Sequence, residues 1–155
     1  FLAPRAPRSS SVLLSSRRSF HATAVRMVEG HSVHRVAVAH RHRLVGKTFK
    51  ATSPNGRFKE GAAAIDGQPF QRIEAVGKNL FAFFGPPKGP MAVVHVHFGM
   101  AGVWATFDPA VEPVPPTTDT TRLRLEEASS GLVSHLSAMT VQLGTEELYR
   151  SKKAG

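Results

Sequence analysis

The spacing of apolar positions along the chain changes once, after Gly46. From Ser32 to Leu44 the apolar residues recur at helical spacing, with polar and basic residues between them. Ser32 is a suitable N-cap and Gly46 a suitable C-terminal stop, so this pattern predicts one helix of about three turns. We expect the four histidines of this region on the helix surface: His31, His34, His40 and His42.

After Lys47 the pattern becomes one of short β-strands separated by turns rich in glycine, proline, asparagine and aspartate. The predicted strands are Thr48–Thr52, Gln71–Val76, Leu80–Phe84, Ala92–His97, Gly102–Phe107, Arg122–Glu126 and Met139–Leu143. Several close-set strands after one helix are typical of a sandwich or flattened barrel. We therefore predict an α+β, β-dominated fold with the helix packed on the sheets.

The composition limits the size of the domain and excludes several kinds of site. A chain of 155 residues, 41% of them hydrophobic, suffices for one modest packed domain with a tail. Because there is no cysteine, the span holds neither a disulfide framework nor a thiolate zinc site. No apolar run approaches the roughly 20 residues that a membrane-spanning helix needs.

The net charge of +9 is concentrated near the start of the chain. Residues 1–26 hold five of the 20 Lys and Arg residues and no acid, whereas the rest carries 15 against 11 acids. This segment is also rich in serine and alanine, as organellar transit peptides are. We expect residues 1–27 to be a disordered, mitochondrial transit-like segment, the alternative being a basic arm that is never removed. Since the chain opens on Phe1, we expect the true start of the gene product further upstream.

Four short motifs follow one another along the rest of the chain. They are Met27-Val28-Glu29-Gly30, Ser53-Pro54-Asn55-Gly56-Arg57-Phe58, Gly77-Lys78-Asn79-Leu80 and His97-Phe98-Gly99-Met100. In this order and spacing they resemble motifs of the formamidopyrimidine-DNA glycosylase and endonuclease VIII family, and the second is closest to actinobacterial-type members. The resemblance implies the family's N-terminal catalytic domain, in which a helix packs on a two-sheet β-sandwich.

The resemblance covers only part of a complete family member. The helix-two-turn-helix and the usual zinc finger are absent from this span, so we expect a truncated form, most simply a gene fragment. We assign residues 28–145 to the catalytic domain and residues 146–155 to the start of a linker to the missing domain. No cofactor is expected within the span, and zinc is expected only in the missing domain.

The resemblance implies base-excision DNA repair by a glycosylase that also has abasic-site lyase activity on oxidised bases. In this family the amine of the mature N-terminal residue attacks the sugar carbon and forms a Schiff base. An α-amino group, with a pKa of about 7.7–8.0, is far less protonated at neutral pH than a lysine of about 10.4. The matching residue is Val28, where most members have proline, and a primary amine still forms an imine. In an uncut chain, however, Val28 has no free amine.

Processing of the tail would free the amine of Val28. Arg26 lies two residues before it, a spacing that mitochondrial processing peptidases accept. Arg18-Ser19 followed by the eight residues Phe20–Met27 also resembles a two-step import signal. Translation from Met27 with removal of that Met would have the same result, and this route suits a nuclear form beside the mitochondrial one.

The motifs imply further site residues, each with an alternative role. Glu29 matches a carboxyl that protonates the opening sugar ring, or it is a charge favoured at a helix N-terminus. Lys78 and His97 match phosphate contacts, or Lys78 is a solvated lysine. His95 and His97 share one strand face, so a metal site is the alternative for them, but it lacks an obvious third ligand. Met100 matches a side chain that fills the space of a flipped-out nucleotide, or it fills the core.

The expected partner is damaged double-stranded DNA, bound by a monomer away from any membrane. The alternative function is a non-catalytic remnant that binds damaged DNA. This alternative arises because much of the phosphate-contact energy in such enzymes resides in elements that the span lacks.

Overall fold

The structure, a computed structural model, describes residues 23–26 and 30–154, with side chains from Val33 onward. Three helices occur in these residues: α1 (Gly30–Arg43), α2 (Lys59–Ile65) and α3 (Glu146–Ala154). The strands of the same residues are β1 (Thr23–Arg26), β2 (Lys50–Thr52), β3 (Phe70–Val76), β4 (Asn79–Phe84), β5 (Ala92–His97), β6 (Val103–Phe107), β7 (Leu123–Glu126), β8 (Val133–Ser137) and β9 (Thr140–Gly144).

The strands form two antiparallel sheets that enclose one core. The first sheet has the order β1-β6-β8-β7-β2 and the second the order β3-β4-β5-β9. Alternate residues of both sheets, such as Leu80 and Val94 of the second and Trp104 and Leu125 of the first, are buried in the same cluster. Helix α1 adds its apolar face to this cluster: Val33, Val36 and Ala37. The predicted β-dominated sandwich with a packed helix is confirmed, and each predicted strand is present to within two residues.

Strand β8 was not predicted because its buried positions include a polar residue. Ser134 is 1% exposed in the middle of the strand. It accepts a hydrogen bond from the indole N–H of Trp104 at 2.6 Å, and its hydroxyl lies 2.9 Å from that of Thr106. Because these partners satisfy the hydroxyl inside the core, the strand needs no regular apolar alternation.

Helix α2 was missed because it is short and contains a glycine. Its run of three alanines favours a helix, whereas Gly61 disfavours one. The glycine serves packing, since a Cβ at that position would lie 2.0 Å from the ring of Phe58. The helix therefore depends on this tertiary contact more than on local propensity.

Residues 23–26 correct the expectation that the whole of residues 1–27 is disordered. They form β1, which pairs with β6 so that Val25 lies opposite Trp104. Without β1, strand β6 would be an open edge with unpaired backbone groups, and this accounts for the added strand. The transit role of the segment stays a prediction.

Residues 146–154, which were assigned to the start of a linker, are helical. They form α3, and its Tyr149 is 6% exposed. The Tyr149 ring meets Phe81 and Phe83 edge-on, at centroid distances of 5.3 and 5.1 Å. The helix is held because Tyr149 covers aromatic side chains on the outer face of the second sheet.

His40 is buried, which corrects its expected place on the helix surface. Its Nδ1 donates a hydrogen bond to the Val36 carbonyl at 3.0 Å, and its ring lies 4.6 Å from that of Trp104. Its Nε2 is buried and has no partner among the described residues. The pKa of His40 is lowered from 6.5 to about 4, chiefly because the ring is buried; the Val36 hydrogen bond opposes this shift, and the nearby charge of Arg43 contributes to it.

We predict that acid destabilises the fold through His40. Below pH 6.5 the unfolded chain binds a proton that the folded chain binds only near pH 4, so stability is full above pH 6.5 and falls with pH. The expected loss of unfolding free energy between pH 7 and pH 4 is about 3 kcal/mol. Urea denaturation across this range checks it. His40→Leu should remove this part of the pH dependence, whereas His34→Gln, at an exposed position, should keep it. If the unfolding free energy of the two variants changed equally with pH, the prediction would be contradicted.

Candidate functional site

The chain crosses between the two sheets at one end of the sandwich. Residues 98–102 connect β5 of the second sheet to β6 of the first, and residues 138–139 lead back from β8 to β9. Strand register places the turns at 77–78, 53–57 and 118–122 at this same end. These five segments form what we call the crossing end.

Three of the site residues predicted from the sequence meet at the crossing end. Lys78 is exposed in the β3–β4 turn, after Gly77, whose φ of +60° lies in the left-handed region. His97 is the last residue of β5 and lies opposite Asn79, the residue after Lys78. Met100 is at the tip of the connection to β6.

Val28 and Glu29 lie outside the described residues. Strand β1, however, runs toward them and reaches the crossing end, because Arg26 lies opposite Val103, the first residue of β6. The register thus brings the chain to within two residues of Val28 beside the turn that carries Met100.

The turn at residues 98–102 is built around two glycines. Gly99 has a φ of +72°, and a Cβ there would lie 3.1 Å from the Cβ of Met139. A Cβ at Gly102 would lie 2.6 Å from the carbonyl oxygen of Phe98, whose side chain is buried. Close packing on both sides therefore fixes the turn and presents Met100 at its tip.

Met100 does not fill the core. It is 73% exposed, and Met139 on the neighbouring turn is 58% exposed. The two methionines form an apolar edge at the crossing end.

A pocket of about 730 Å³ opens beside this edge. Its polar lining comes from the turns at 53–57 and 118–122 and from the end of β8: Asn55, Arg57, Asp119, Thr120, Arg122 and Ser137. Hydrogen bonds between turns hold it together, since Asn55 donates to the carbonyl of Asp119 at 3.1 Å and Arg122 donates to that of Met139 at 3.1 Å.

The ring nitrogens of His95 lie near the side-chain amides of two neighbouring residues. Its Nε2 lies 2.8 Å from Oδ1 of Asn79, its Nδ1 lies 3.4 Å from Nε2 of Gln142, and its ring stacks on Phe81. Burial lowers the pKa of His95, and the positive charges of Lys152 and His97 act in the same direction. In the part of the chain that the structure describes, no three His, Cys, Asp or Glu residues come together to hold a metal ion.

Arg122 and Met139 were not among the site residues predicted from the sequence, and Arg57 entered only as part of the Ser53–Phe58 motif. Arg57 and Arg122 are 65 positions apart, so no local motif joins them. Met139 was assigned to a strand, although it directly precedes β9. The Ser53–Phe58 and His97–Met100 motifs were the signals that pointed to this pocket.

Residues 23–137 match the family model of the formamidopyrimidine-DNA glycosylase N-terminal domain. The chain belongs to this family. The resemblance read from the four motifs is confirmed, and the match starts early enough to include β1.

Relatives of the family are longer than this chain. Endonuclease 8 1 of Mycobacterium bovis and of Mycobacterium tuberculosis is 38% identical to it over 106 residues, which cover 68% of this chain. That segment is 38% of each relative, so the chain spans well under half of the curated relatives it matches.

Solved structures of the family share the fold. A MutM complex with DNA containing carbocyclic 8-oxo-G superposes with a TM-score of 0.64 at 16% identity, over 79% of this chain and 47% of that one. A complex of Lactococcus lactis Fpg with abasic-site DNA also has a TM-score of 0.64 at 16% identity, over 79% and 46% of the two chains. Among the described residues, no helix is long and apolar enough to span a membrane.

Proposed function

We propose that this chain is the N-terminal catalytic domain of a base-excision DNA glycosylase with abasic-site lyase activity on oxidised bases. One observation carries the proposal: Lys78, His97 and Met100 lie at the same end of the sandwich as the strand that leads to Val28. The DNA bound in the solved complexes of related fold supports the same partner.

The chemistry begins with the α-amino group of Val28. Its lone pair attacks C1′ of the damaged nucleotide, the bond from C1′ to the base breaks, and the base leaves with its electron pair. Glu29 protonates the ring oxygen as the sugar opens, which yields the Schiff base. Loss of a proton from C2′ then expels the 3′ phosphate and cuts the strand. No cofactor takes part in these steps.

The crossing end supplies the contacts that bind the DNA. Lys78 and His97 contact the phosphates beside the lesion, because a phosphate diester keeps its charge and pairs with exposed cations and N–H donors. Met100 enters the duplex when the damaged nucleotide is rotated out, and it replaces part of the lost stacking. Unstacking costs a few kcal/mol, so an exposed apolar side chain lowers this cost.

Import accounts for the free amine in this proposal. Removal of residues 1–27 on entry into mitochondria exposes Val28, and translation from Met27 gives the nuclear form. In either case the mature enzyme, acting as a monomer, lacks β1, and the backbone groups of β6 that β1 covers become exposed.

The proposal is tested with a chain that begins at Val28 and a duplex that carries one abasic site. We expect strand cleavage at the site with a β-elimination end, seen on a denaturing gel, and no cleavage of the undamaged duplex. If the folded protein binds this DNA without cutting it, the lyase activity is refuted and the non-catalytic binding role takes its place.

A further inference from the structure

We propose that the pocket at the crossing end is a phosphate site for the DNA backbone, with Arg57 and Arg122 as its cations. This inference rests on the proposed function, since it adds two residues to the surface that contacts the same DNA. The pocket of about 730 Å³ is ample for a phosphate diester and its sugar neighbours.

The two arginines supply donors of the right geometry. A guanidinium presents five N–H groups in a planar fork that matches phosphate oxygens. Arg57 is exposed, on the turn after β2, and Arg122 is half-buried just before β7. The only hydrogen bond from the Arg122 guanidinium within the described part of the chain goes to the carbonyl of Met139, which leaves other N–H groups for a ligand.

The turns that carry the two arginines are held in place before any ligand arrives. The Arg57 amide donates to Oδ1 of Asn55 at 2.9 Å, and the Asn55 side chain in turn donates to the carbonyl of Asp119. This chain of contacts ties the Arg57 turn to the loop that carries Arg122. A site organised in this way loses less conformational entropy on binding.

The charge of the pocket favours an anion. Among the described residues, neither arginine has an ion pair with a carboxylate, and Asp119 is the one acid that lines the pocket. The hydroxyl groups of Thr120 and Ser137 add further donors. Two cations against one carboxylate leave a positive excess that a phosphate would neutralise.

The neighbours of the pocket indicate a nucleic-acid backbone as the source of that phosphate. Met100, which the proposed function places inside the duplex, lines the same pocket, and exposed Lys78 lies at the same end of the sandwich. A duplex whose base stack receives Met100 therefore brings its backbone to Arg57 and Arg122. The pocket is thus a second site of phosphate contact, separate from Lys78 and His97.

The test is the salt dependence of DNA binding by the full chain. The probe is a duplex with a tetrahydrofuran abasic analogue, which cannot react, and binding is followed by fluorescence anisotropy over a salt series. Losing one phosphate contact reduces the slope of log K against log[salt] by about 0.9. We expect this reduction in Arg57→Gln and in Arg122→Gln, with weaker binding at every salt concentration.

Lys88→Gln is the matched control. Lys88 is exposed in the connection between β4 and β5, at the opposite end of the second sheet, and its replacement removes the same charge. If Arg57→Gln keeps the slope of Lys88→Gln and of the unchanged protein, the phosphate site is refuted. The Arg57 side chain makes no hydrogen bond within the described residues, so Arg57→Gln removes no contact that holds the fold. Arg122→Gln, in contrast, removes the hydrogen bond to the Met139 carbonyl.

The two proposals fail in different ways. If both arginine variants bind the analogue with the salt slope of the unchanged protein, the phosphate site is refuted and the proposed enzyme activity is unaffected. Reduced slopes in the two arginine variants of the full chain support the pocket, and if the chain that begins at Val28 then never cuts abasic DNA, the lyase alone is refuted. If the unchanged chain does not bind DNA, DNA is not its partner, and the phosphate-site proposal is refuted as well.

Discussion

A chain that begins at Val28 is expected to be trapped on abasic-site DNA by borohydride, whereas the chain that begins at Phe1 is expected to give no adduct. Borohydride reduces a Schiff base to a stable amine, so it records which nitrogen attacked the sugar. In the longer chain the nitrogen of Val28 is part of a peptide bond and has no available lone pair. The difference should be close to all-or-none on a denaturing protein gel.

Two controls make this outcome specific to the amine. Val28→Pro in the short chain keeps an N-terminal amine and should keep the adduct, which separates the amine from the valine side chain. The longer chain must bind the same DNA, so that a missing adduct reflects chemistry and not lost contact. Equal adduct from both chains would assign the attack to another nitrogen, with exposed Lys78 the first to replace.

The sequence predicted the strands whose buried face is apolar and failed where the core is polar. The β5 segment alternates apolar residues with histidines and was predicted with its observed bounds. The β8 segment, Val-Ser-His-Leu-Ser, conceals its register because Ser134 is satisfied by Trp104 inside the core. His40 was misplaced for the same reason, since a hydrogen bond within its own helix lets a polar ring be buried.

The candidate site was predictable where one turn holds both the motif and its function. Gly99 and Met100 are adjacent, so the motif itself indicates an exposed tip, and the exposure of Met100 agrees. The pocket beside it combines turns that are far apart in the chain. Only the strand register, with Thr52 opposite Arg124 and Val103 opposite Ser137, brings those turns to one end.

Trp104→Ala is expected to lower the free energy of unfolding by about 4 kcal/mol. Removing a buried tryptophan costs about 3–5 kcal/mol through lost burial and the cavity left behind. Trp104 is 1% exposed, packs on His40, and donates to Ser134. Ser134 and Thr106 can still bond to each other at 2.9 Å, so the unpaired hydroxyl adds little. For a domain of ordinary stability, about 5–15 kcal/mol, this is a large share.

Urea denaturation followed by far-UV circular dichroism measures this loss, because the variant lacks the chain's single tryptophan and its fluorescence. Trp104→Phe retains a ring but loses the indole donor, and it should cost about 1–2 kcal/mol less than the alanine variant, since part of the packing remains. Met100→Ala, at an exposed position, should change the unfolding free energy by no more than about 0.5 kcal/mol. A loss below about 1.5 kcal/mol for Trp104→Ala would mean that Trp104 does not sit in the shared core of the two sheets, and the register that places β1 and Met100 together would fall with it.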